Sequence, residues 1–239
     1  MVTPAELTAV PLPDELAHIA VARLAYDRLT DLPAAAAANL TVAEFAEWER
    51  ISHPGRRAEW LAARLCLKSL IRQRTGRNDP RTLHVAKNGR GRPQVVIDGP
   101  AAQRYGDCSL THAAPWAAAA WTDRPTVRLG VDVERISDRL QRVAGSFVAA
   151  DDVALVPRAP LEQLTVWWCL KEACSKVWGL GLGAGLQEIA CRETSPGRHE
   201  LRRAQGPVLA GWHWRFDGFV MALCLGDASA DSEGHQAQR

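Results

Sequence analysis

Apolar and polar positions alternate in one short stretch near the middle of the chain. Residues 129–136 read Leu-Gly-Val-Asp-Val-Glu-Arg-Ile, with an apolar residue at every second position from Leu129 to Val133. A period of two predicts a β-strand, in which Asp132 and Glu134 project from one face while the apolar side chains face a core. The pattern therefore places two carboxylates side by side on a strand.

A helical period follows further along the chain. Residues 168–176 read Trp-Cys-Leu-Lys-Glu-Ala-Cys-Ser-Lys, so Trp168, Glu172 and Lys176 recur every four residues. Steps of four place side chains on one ridge of a helix. We expect a long helix over about 161–178, broken by the glycine-rich run that begins at Gly179, with Glu172 and Lys176 on a common face.

The rest of the first half predicts three helices and several strands. The first 40 residues show little periodicity apart from an alanine-rich run after Pro33 that favours a helix. Thr41 and Glu44 have the spacing of a capping box at the start of the next helix, and a third helix should run from about Pro54 to Arg74 and end at Gly76. Strands are predicted at 83–86, 94–97 and 117–121.

The second half is predicted to hold a helix near 138–156, and strands at about 186–193, 208–216 and 218–225. The polar tail over 227–239 has the composition of a disordered segment. No close internal repeat is present, although each half offers one long helix and several strands. We expect two halves, over 1–125 and 126–226, with the boundary near Pro125.

Composition excludes several classes of protein. The chain has 239 residues, of which 47% are hydrophobic and 23% charged, and this balance is typical of a soluble globular protein. It contains no apolar run of about 20 residues and no secretory signal at the N-terminus, so neither a membrane-spanning segment nor secretion is expected. The six cysteines lack metal-site spacing, which favours reduced thiols in a cytoplasmic protein.

The net charge of +2 hides a strongly basic stretch. Between Arg50 and Arg92 there are 12 Lys and Arg residues against two acids, Glu59 and Asp79. Such a stretch could bind nucleic acid, an anionic cofactor or an acidic partner protein. Nucleic acid is the weaker choice, because Trp60 is the only aromatic residue there that could stack on a base.

The acids suggest a divalent metal site. Asp132, Glu134 and Glu172 would supply oxygen ligands of the kind that Mg²⁺ prefers, and lysines beside the third acid suggest that the partner of the ion is a phosphate. An acid pair on a strand and a Lys-Glu pair on a helix are also ordinary on solvated surfaces. Their combination with His112, one strand earlier, and with the basic stretch favours metal-assisted phosphate chemistry.

These motifs together resemble a known family. Gly130-Val131-Asp132-Val133-Glu134 and the run from Trp168 to Lys176 look like the paired signature of the 4′-phosphopantetheinyl transferases, of the larger, monomeric type named after the surfactin-synthetase activating enzyme. Supporting matches, in the order of the family, are residues 56–64, 88–93 and 109–112. Thr111 stands where serine is commoner, and it keeps the hydroxyl.

The resemblance implies a fold and an activity. The fold is α+β, with two similar halves related by a pseudo-twofold axis, each a long helix packed on a small, mainly antiparallel sheet, and with the active site in the cleft between them. Such enzymes use Mg²⁺, or Mn²⁺ in its place, to move the phosphopantetheine arm of coenzyme A onto a serine of an acyl or peptidyl carrier protein. The partners it implies are coenzyme A and a carrier protein, with no nucleic acid and no membrane.

The resemblance also implies roles for single residues. The metal ligands would be Asp132, Glu134 and Glu172, and the catalytic residues Glu172, Lys176 and Lys171, with Glu172 also a candidate base. Both lysines would contact the coenzyme A phosphates. The 3′-phosphate and adenosine end would be held by the following residues: Arg56, Arg64, Arg90, Thr111 and His112. The choice among Arg56, Arg57, Arg64 and Lys68, and between Arg90 and Arg92, stays open.

Two other functions compete with transfer. A catalytically silent relative would bind coenzyme A or a carrier protein without turnover, and intact Asp132, Glu134, Lys171, Glu172 and Lys176 argue against it. A Mg²⁺-dependent phosphohydrolase would use water as the acceptor. The carrier is expected to dock near 138–160, where Arg135, Arg139, Arg142 and Arg158 could meet an acidic partner.

Overall fold

The computed structural model describes residues 7–89, 91–97, 103–149, 156, 159–180, 185–204 and 206–228. The chain divides into two compact units, Met1–Pro125 and Thr126–Arg239. Each unit pairs a long helix with an antiparallel sheet, which confirms the predicted α+β class. No helix in these ranges is long and apolar enough to cross a membrane. All six cysteines are free thiols.

Two antiparallel sheets form the N-terminal unit. The larger sheet has the order β1-β2-β7-β6 and the smaller one the order β3-β4-β5. The strands are β1 (Leu7–Ala9), β2 (Ile19–Ala25), β3 (Leu83–Lys87), β4 (Pro93–Ile97), β5 (Gln103–Arg104), β6 (Asp107–Ala113) and β7 (Trp116–Thr122). Alanines fill β7 from 117 to 120 and are fully buried, so a helix can pack closely on this sheet.

Three helices complete the N-terminal unit: α1 (Leu32–Asn39), α2 (Val42–Glu49) and α3 (Pro54–Thr75). Helix α2 begins with the predicted capping box, because the Thr41 hydroxyl accepts from the Glu44 N–H and the Glu44 carboxylate accepts from the Thr41 N–H. Helix α3 ends at Gly76, whose φ of 71° is left-handed. Helix α3 packs on β2, β6 and β7 and buries its central leucines there.

The C-terminal unit is built on one five-stranded antiparallel sheet of order β8-β12-β11-β10-β9. Its strands are β8 (Val127–Arg135), β9 (Ala190–Ser195), β10 (Arg198–Arg202), β11 (Leu209–Phe216) and β12 (Phe219–Asp227). The short helix α4 (Arg139–Arg142) leads to a 3₁₀ turn at Ala144–Ser146, and the long helix α5 (Leu161–Trp178) ends at left-handed Gly179. Helix α5 packs on β8 and β12.

A glycine sets how closely α5 approaches the sheet. A Cβ atom on Gly130 of β8 would lie 1.8 Å from the Ala173 carbonyl oxygen of α5, far inside contact distance. The backbones of strand and helix therefore touch at this point, which only glycine permits. The acids that follow on β8 are brought beside the side chains of α5.

The structure differs from the predictions at one helix, at the start of one strand and at strands that were not predicted. Strand β2 lies in the stretch for which we predicted no strand, because nearly every residue from Ile19 to Ala25 is buried and the run shows no alternation. The predicted helix over 138–156 is a single turn, α4, followed by the 3₁₀ turn; residues 150–155 lie outside the described ranges. Residues 186–188 form a 3₁₀ turn rather than a strand, and β10 was missed.

Candidate active site

Strand β8 and helix α5 place the predicted acids on facing surfaces. Asp132 and Glu134 lie on the face of β8 that looks toward α5, as the alternating pattern predicted, and Asp132 is only 7% exposed. Glu172 on α5 is 6% exposed. Carboxylates are rarely this buried unless a partner or a ligand compensates for the lost hydration. The three acids act on one another electrostatically, which places them in one cluster.

Lys176 belongs to the same cluster. Its ammonium donates to the Asp132 carboxylate, with 2.9 Å between Nζ and Oδ1, and to the Val131 carbonyl oxygen at 2.7 Å. The helical step of four carries Lys176 one turn beyond Glu172, as the sequence predicted. Lys176 is the one positive charge within the cluster of Asp132, Glu134, Glu172 and Lys176, and Arg139 adds a second from outside it, 3.5 Å from Glu134, so the negative charges still outnumber the positive ones.

Burial and neighbouring negative charge shift Glu134 and Glu172 toward their neutral forms. Burial, followed by the negative charges of Asp132 and Glu134, raises the pKa of Glu172 to about 7, against the opposing effect of Lys176. Burial and Asp132 also raise the pKa of Glu134, while Arg139 lowers it. Perturbed carboxylates that repel one another in this way are typical of functional sites, and a multivalent cation would relieve the repulsion.

Two residues outside the cluster contact its acids, and neither contact was predicted from the sequence. The Cys169 thiol is buried beside Asp132, and burial, together with the charge of Asp132, raises its pKa well above the usual value. Cys169 is seven residues before Lys176 on α5, two helical turns away, so its helical spacing could have indicated the contact. Arg139 lies with its guanidinium 3.5 Å from the Glu134 carboxylate; no sequence signal links these two residues.

Lys171 does not join the cluster. Its side chain is 3% exposed, and its ammonium donates to the Phe147 carbonyl oxygen at 2.6 Å. Its charge also acts on Cys191, which lies on β9 at the opposite edge of the sheet from β8. Consecutive residues of a helix differ by about 100° in direction, so Lys171 and Glu172 face different neighbours.

Among the predicted coenzyme A anchors, His112 and Arg56 are exposed. The His112 ring on β6 lies 3.6 Å from the Glu59 carboxylate of α3, and Arg56 lies one helical turn before Glu59. Thr111 is buried and points to the opposite face of β6, because side chains alternate along a strand. Within this unit Arg56 and His112 are therefore exposed, whereas Thr111 is buried on the other face of β6.

The other basic candidates have partners within the N-terminal unit. The Arg64 guanidinium is buried 3.2 Å from the Trp60 ring centre and 3.9 Å from both Glu44 and Glu47, and burial lowers its pKa to about 10. The Lys68 ammonium binds the Glu44 carboxylate. The remaining candidates are placed as follows: Arg57 donates to the Ile51 carbonyl oxygen, Arg92 pairs with Asp107, and Arg90 lies outside the described residues.

The acids fit a hard divalent cation by their chemistry. Carboxylate oxygens are the ligands that Mg²⁺ and Mn²⁺ prefer, and burial, followed by the neighbouring carboxylates, raises the pKa of Glu134 and of Glu172, an effect that a bound cation would oppose. In the described ranges, no three His, Cys, Asp or Glu side chains already converge as in a formed metal site. Asp132, Glu134 and Glu172 are thus the residues that would hold an ion.

Comparison with known proteins gives the family. Residues 128–224, which contain the whole cluster, match the 4′-phosphopantetheinyl transferase superfamily. The chain is 27% identical over 122 residues to the 4′-phosphopantetheinyl transferase psf-1 of Bacillus pumilus, a match that covers 48% of this chain and 51% of that protein. It is 32% identical over 80 residues to the holo-[acyl-carrier-protein] synthase of Sulfurimonas denitrificans, covering 33% and 62%.

Two solved structures are also similar. A holo-[acyl-carrier-protein] synthase of Helicobacter pylori, crystallised with coenzyme A, is 18% identical with a TM-score of 0.34, over 40% of this chain and 96% of that one. The holo-ACP synthase of Plasmodium yoelii is 18% identical with a TM-score of 0.36, over 43% and 90%. These scores indicate a weak overall likeness.

The matches confirm the predicted family for the part of the chain that carries the acids. The matched region, residues 128–224, lies within the C-terminal unit. The chain spans between about half and two thirds of the length of these two curated relatives. Asp132, Glu134, Lys171, Glu172 and Lys176 all lie inside the matched region, whereas the basic candidates of the N-terminal unit lie outside it.

Proposed function

We propose that this protein transfers the 4′-phosphopantetheine arm of coenzyme A to a serine of an apo acyl or peptidyl carrier protein and releases adenosine 3′,5′-bisphosphate. The observation that carries the proposal is the cluster of Asp132, Glu134, Glu172 and Lys176, three mutually repelling acids and one lysine within the region of the family match. The curated relatives are named for this activity, which supports it.

The residues of the cluster have distinct proposed roles. Asp132, Glu134 and Glu172 would hold Mg²⁺ or Mn²⁺, and such an ion supplies charge neutralisation at the diphosphate of coenzyme A. Lys176 would move its ammonium from Asp132 to a phosphate oxygen, where it stabilises the charge of the transferring phosphoryl group. Because Asp132 then loses a counter-charge, binding of the cation and of the phosphate should favour each other.

Glu172 is the proposed acceptor of the serine proton. A pKa of about 7 lets its carboxylate take up a proton near neutral pH, directly or through a water molecule. In the reaction the serine oxygen forms a bond to the phosphorus of the phosphopantetheine arm while the diphosphate bond breaks. The electrons of that bond leave with adenosine 3′,5′-bisphosphate. A carboxylate that also binds a cation is a weaker base, which favours the route through water.

The 3′-phosphate and adenosine end of coenzyme A is assigned to the N-terminal unit. Exposed Arg56 and His112 are the first choice, since both can reach a ligand without breaking a buried contact. Arg64, Thr111 and Arg90 stay in the proposed set. Arg64 would have to exchange Glu44 and Glu47 for phosphate, so it should contribute less than Arg56.

The carrier protein is proposed to dock on the basic surface of Arg135, Arg139 and Arg142, all exposed; Arg158, the fourth predicted arginine, lies outside the described residues. Carrier proteins of this kind are acidic, so opposite charge would steer the encounter. We propose a cytoplasmic, monomeric enzyme. This surface begins at Arg135, the last residue of β8, so the carrier would bind next to the strand that carries Asp132 and Glu134.

Mass spectrometry of an apo carrier protein tests the proposed function. The carrier is incubated with coenzyme A, Mg²⁺ and the protein, and a mass gain equal to one phosphopantetheine group is expected on the serine. Omission of Mg²⁺ should abolish the gain. Binding of coenzyme A without a mass gain on any of several carriers would favour the silent binding module. Loss of phosphate from coenzyme A without a carrier would favour a phosphohydrolase.

A further inference from the structure

A buried lysine on α5 contacts a segment outside the cluster. Lys171 is 3% exposed, and its ammonium donates to the Phe147 carbonyl oxygen at 2.6 Å. Removing an ammonium group from water is unfavourable by several kcal/mol unless contacts of good geometry replace the water. An apolar residue would avoid that penalty at this position, so the contact with Phe147 calls for a physical reason.

The partner of Lys171 belongs to a segment that packs under α5. We call residues 139–148 the α4 segment; it contains α4 and the 3₁₀ turn at Ala144–Ser146. Leu140, Phe147 and Val148 belong to the same buried core as α5. The Phe147 ring also meets the Trp168 ring edge-on, at 5.1 Å between centres. Gln187 donates to the Gly145 carbonyl oxygen from the other side.

Two side chains therefore hold backbone carbonyls of the α4 segment. Short helices and 3₁₀ turns leave carbonyl groups without partners inside the element, so polar side chains from outside are needed to satisfy them. Lys171 satisfies a buried carbonyl and Gln187 an exposed one. The segment is fixed at its C-terminal end, while its N-terminal residue Arg139 reaches Glu134 of the cluster.

We propose that Lys171 is a positioning residue that holds the α4 segment in place, rather than a ligand of the coenzyme A phosphates. Through the segment it sets the position of Arg139 and Arg142, the surface proposed to meet the carrier protein. Lys171 thereby determines how well the carrier is recognised, and Lys176 alone of the two lysines serves the phosphates. This inference rests on the proposed function for its kinetic part only.

Hydrogen exchange gives a test that needs no activity. In Lys171→Met, which keeps the length of the side chain and removes the donor, the amides of 139–148 should exchange faster by roughly tenfold or more. Gln187→Ala should accelerate the same amides by a few-fold, about two to five times. Lys176→Met, on the same helix, should leave them unchanged. Unchanged exchange in both Lys171→Met and Gln187→Ala would overturn the proposal.

Steady-state kinetics separates positioning from phosphate binding. For Lys171→Met, KM for the carrier should rise about tenfold while KM for coenzyme A stays within about twofold. For Lys176→Met, kcat should fall by about 100-fold or more. A raised KM for coenzyme A in Lys171→Met, with unchanged exchange over 139–148, would make Lys171 a phosphate ligand.

The exchange experiment and the kinetic experiment can fail independently of each other. If the wild-type protein transfers nothing, the proposed function fails, and the exchange experiment still decides whether Lys171 holds the segment. If Lys171→Met does not fold, Gln187→Ala carries both arms, because this exposed side chain contacts the segment at Gly145 only through a surface hydrogen bond. Faster exchange together with a raised KM for the carrier in that variant supports the proposal. If exchange and KM both stay at their wild-type values, the proposal is overturned.

Discussion

The two units each bury a glutamate, and the surroundings of the two are opposite. Glu44 of the N-terminal unit is fully buried, and its carboxylate accepts from the Lys68 ammonium and from the N–H groups of Thr41 and Val85. Glu172 of the C-terminal unit is 6% exposed and is repelled by other carboxylates. One acid is satisfied by its own unit, and the other is left to be satisfied by a ligand.

This difference separates structural from functional burial of charge. The Glu44 carboxylate on α2 accepts hydrogen bonds from α3 and from β3, so its negative charge is compensated within the fold. The charge of Glu172 is not compensated in this way, because the nearby carboxylates of Asp132 and Glu134 repel it. Burial alone therefore does not identify a functional acid; the sign of the neighbouring charges does.

The largest effect is expected from Glu172→Gln. Transfer to a carrier protein should fall by roughly 1000-fold, about 4 kcal/mol of transition-state stabilisation, because both a proposed metal ligand and the proposed proton acceptor are lost. The stability of the metal-free protein should stay the same or rise, since the change removes a repelled charge. Turnover by mass spectrometry and urea unfolding without metal measure the two outcomes.

Glu162→Gln is the matched control on the same helix. Glu162 pairs with Arg215 at the start of α5, away from the cluster. Its replacement should change neither turnover nor stability by a measurable amount, because exposed ion pairs contribute little. Equal loss of activity in both variants would contradict the proposed role of Glu172.

Glu44→Gln should have the opposite balance of effects. Its removal leaves the buried Lys68 ammonium without its carboxylate, which should lower the free energy of unfolding by about 3–5 kcal/mol. Once folded, the variant should keep its transfer activity per folded molecule. A stability loss below about 1 kcal/mol would show that the Glu44 network is not what holds α2 on α3. Chemical denaturation combined with turnover at low temperature measures both.

Gly130→Ala tests how the C-terminal unit brings its acids together. The new methyl group would meet the Ala173 carbonyl, so β8 and α5 must separate, and we expect a loss of about 3 kcal/mol in stability. Gly145→Ala is the control, because a Cβ there meets nothing within 4 Å. Thermal unfolding measures both variants. An equal change in unfolding temperature in Gly145→Ala would show that the loss comes from replacing any glycine and not from the contact between β8 and α5.

The smallest effect concerns a histidine pair in the C-terminal unit. The His199 ring on β10 is buried and its Nε2 lies 2.9 Å from Nδ1 of His213 on β11. Burial, followed by the neighbouring ring, lowers the pKa of His199 from 6.5 to about 4. The folded state therefore favours the neutral ring, so the stability it contributes is complete above pH 6.5 and is lost as the pH falls toward 4.

We expect this loss to be about 2 kcal/mol, less than the full pKa shift gives, because His213 is partly exposed and water screens the pair. Urea unfolding between pH 7.5 and 4.5 measures it. His199→Gln should flatten this part of the pH dependence, whereas the same change at exposed His112 should leave it in place. If the free energy of unfolding of His199→Gln still fell with pH as steeply as that of the wild type, the pH dependence could not be assigned to His199.

Local patterns were sufficient for much of the fold. The capping box of Thr41 and Glu44, the long helices and their terminal glycines at 76 and 179 all follow from contacts within a few residues, and the structure contains them. Strand β2 was missed because burial on both faces removes alternation, and β10 because it is short and mostly polar. The helix predicted over 138–156 is one turn.

The candidate site divides in the same way. The common face of Asp132 and Glu134 and the common ridge of Glu172 and Lys176 were predicted from periodicity alone. The partners of Lys171 and Arg64 were not, because each depends on a neighbour distant in sequence: Phe147 for Lys171 and Glu44 for Arg64. The role of Arg64 as a phosphate contact remains a prediction, whereas for Lys171 we propose instead that it holds the α4 segment in place.

The sequence by itself supplied the resemblance to the 4′-phosphopantetheinyl transferases, which implied the α+β class. It also predicted that Asp132 and Glu134 share a strand face and that Glu172 and Lys176 share a helix ridge, because side-chain direction on a strand or helix follows from spacing. Only the tertiary structure decided which buried charges are compensated by other protein groups and which are left for a ligand to compensate. Glu44 and Glu172 look alike in the sequence, each an acid in a helix. They differ only in what packs against them, and in a buried site the energy of a charge is set by its nearest neighbours.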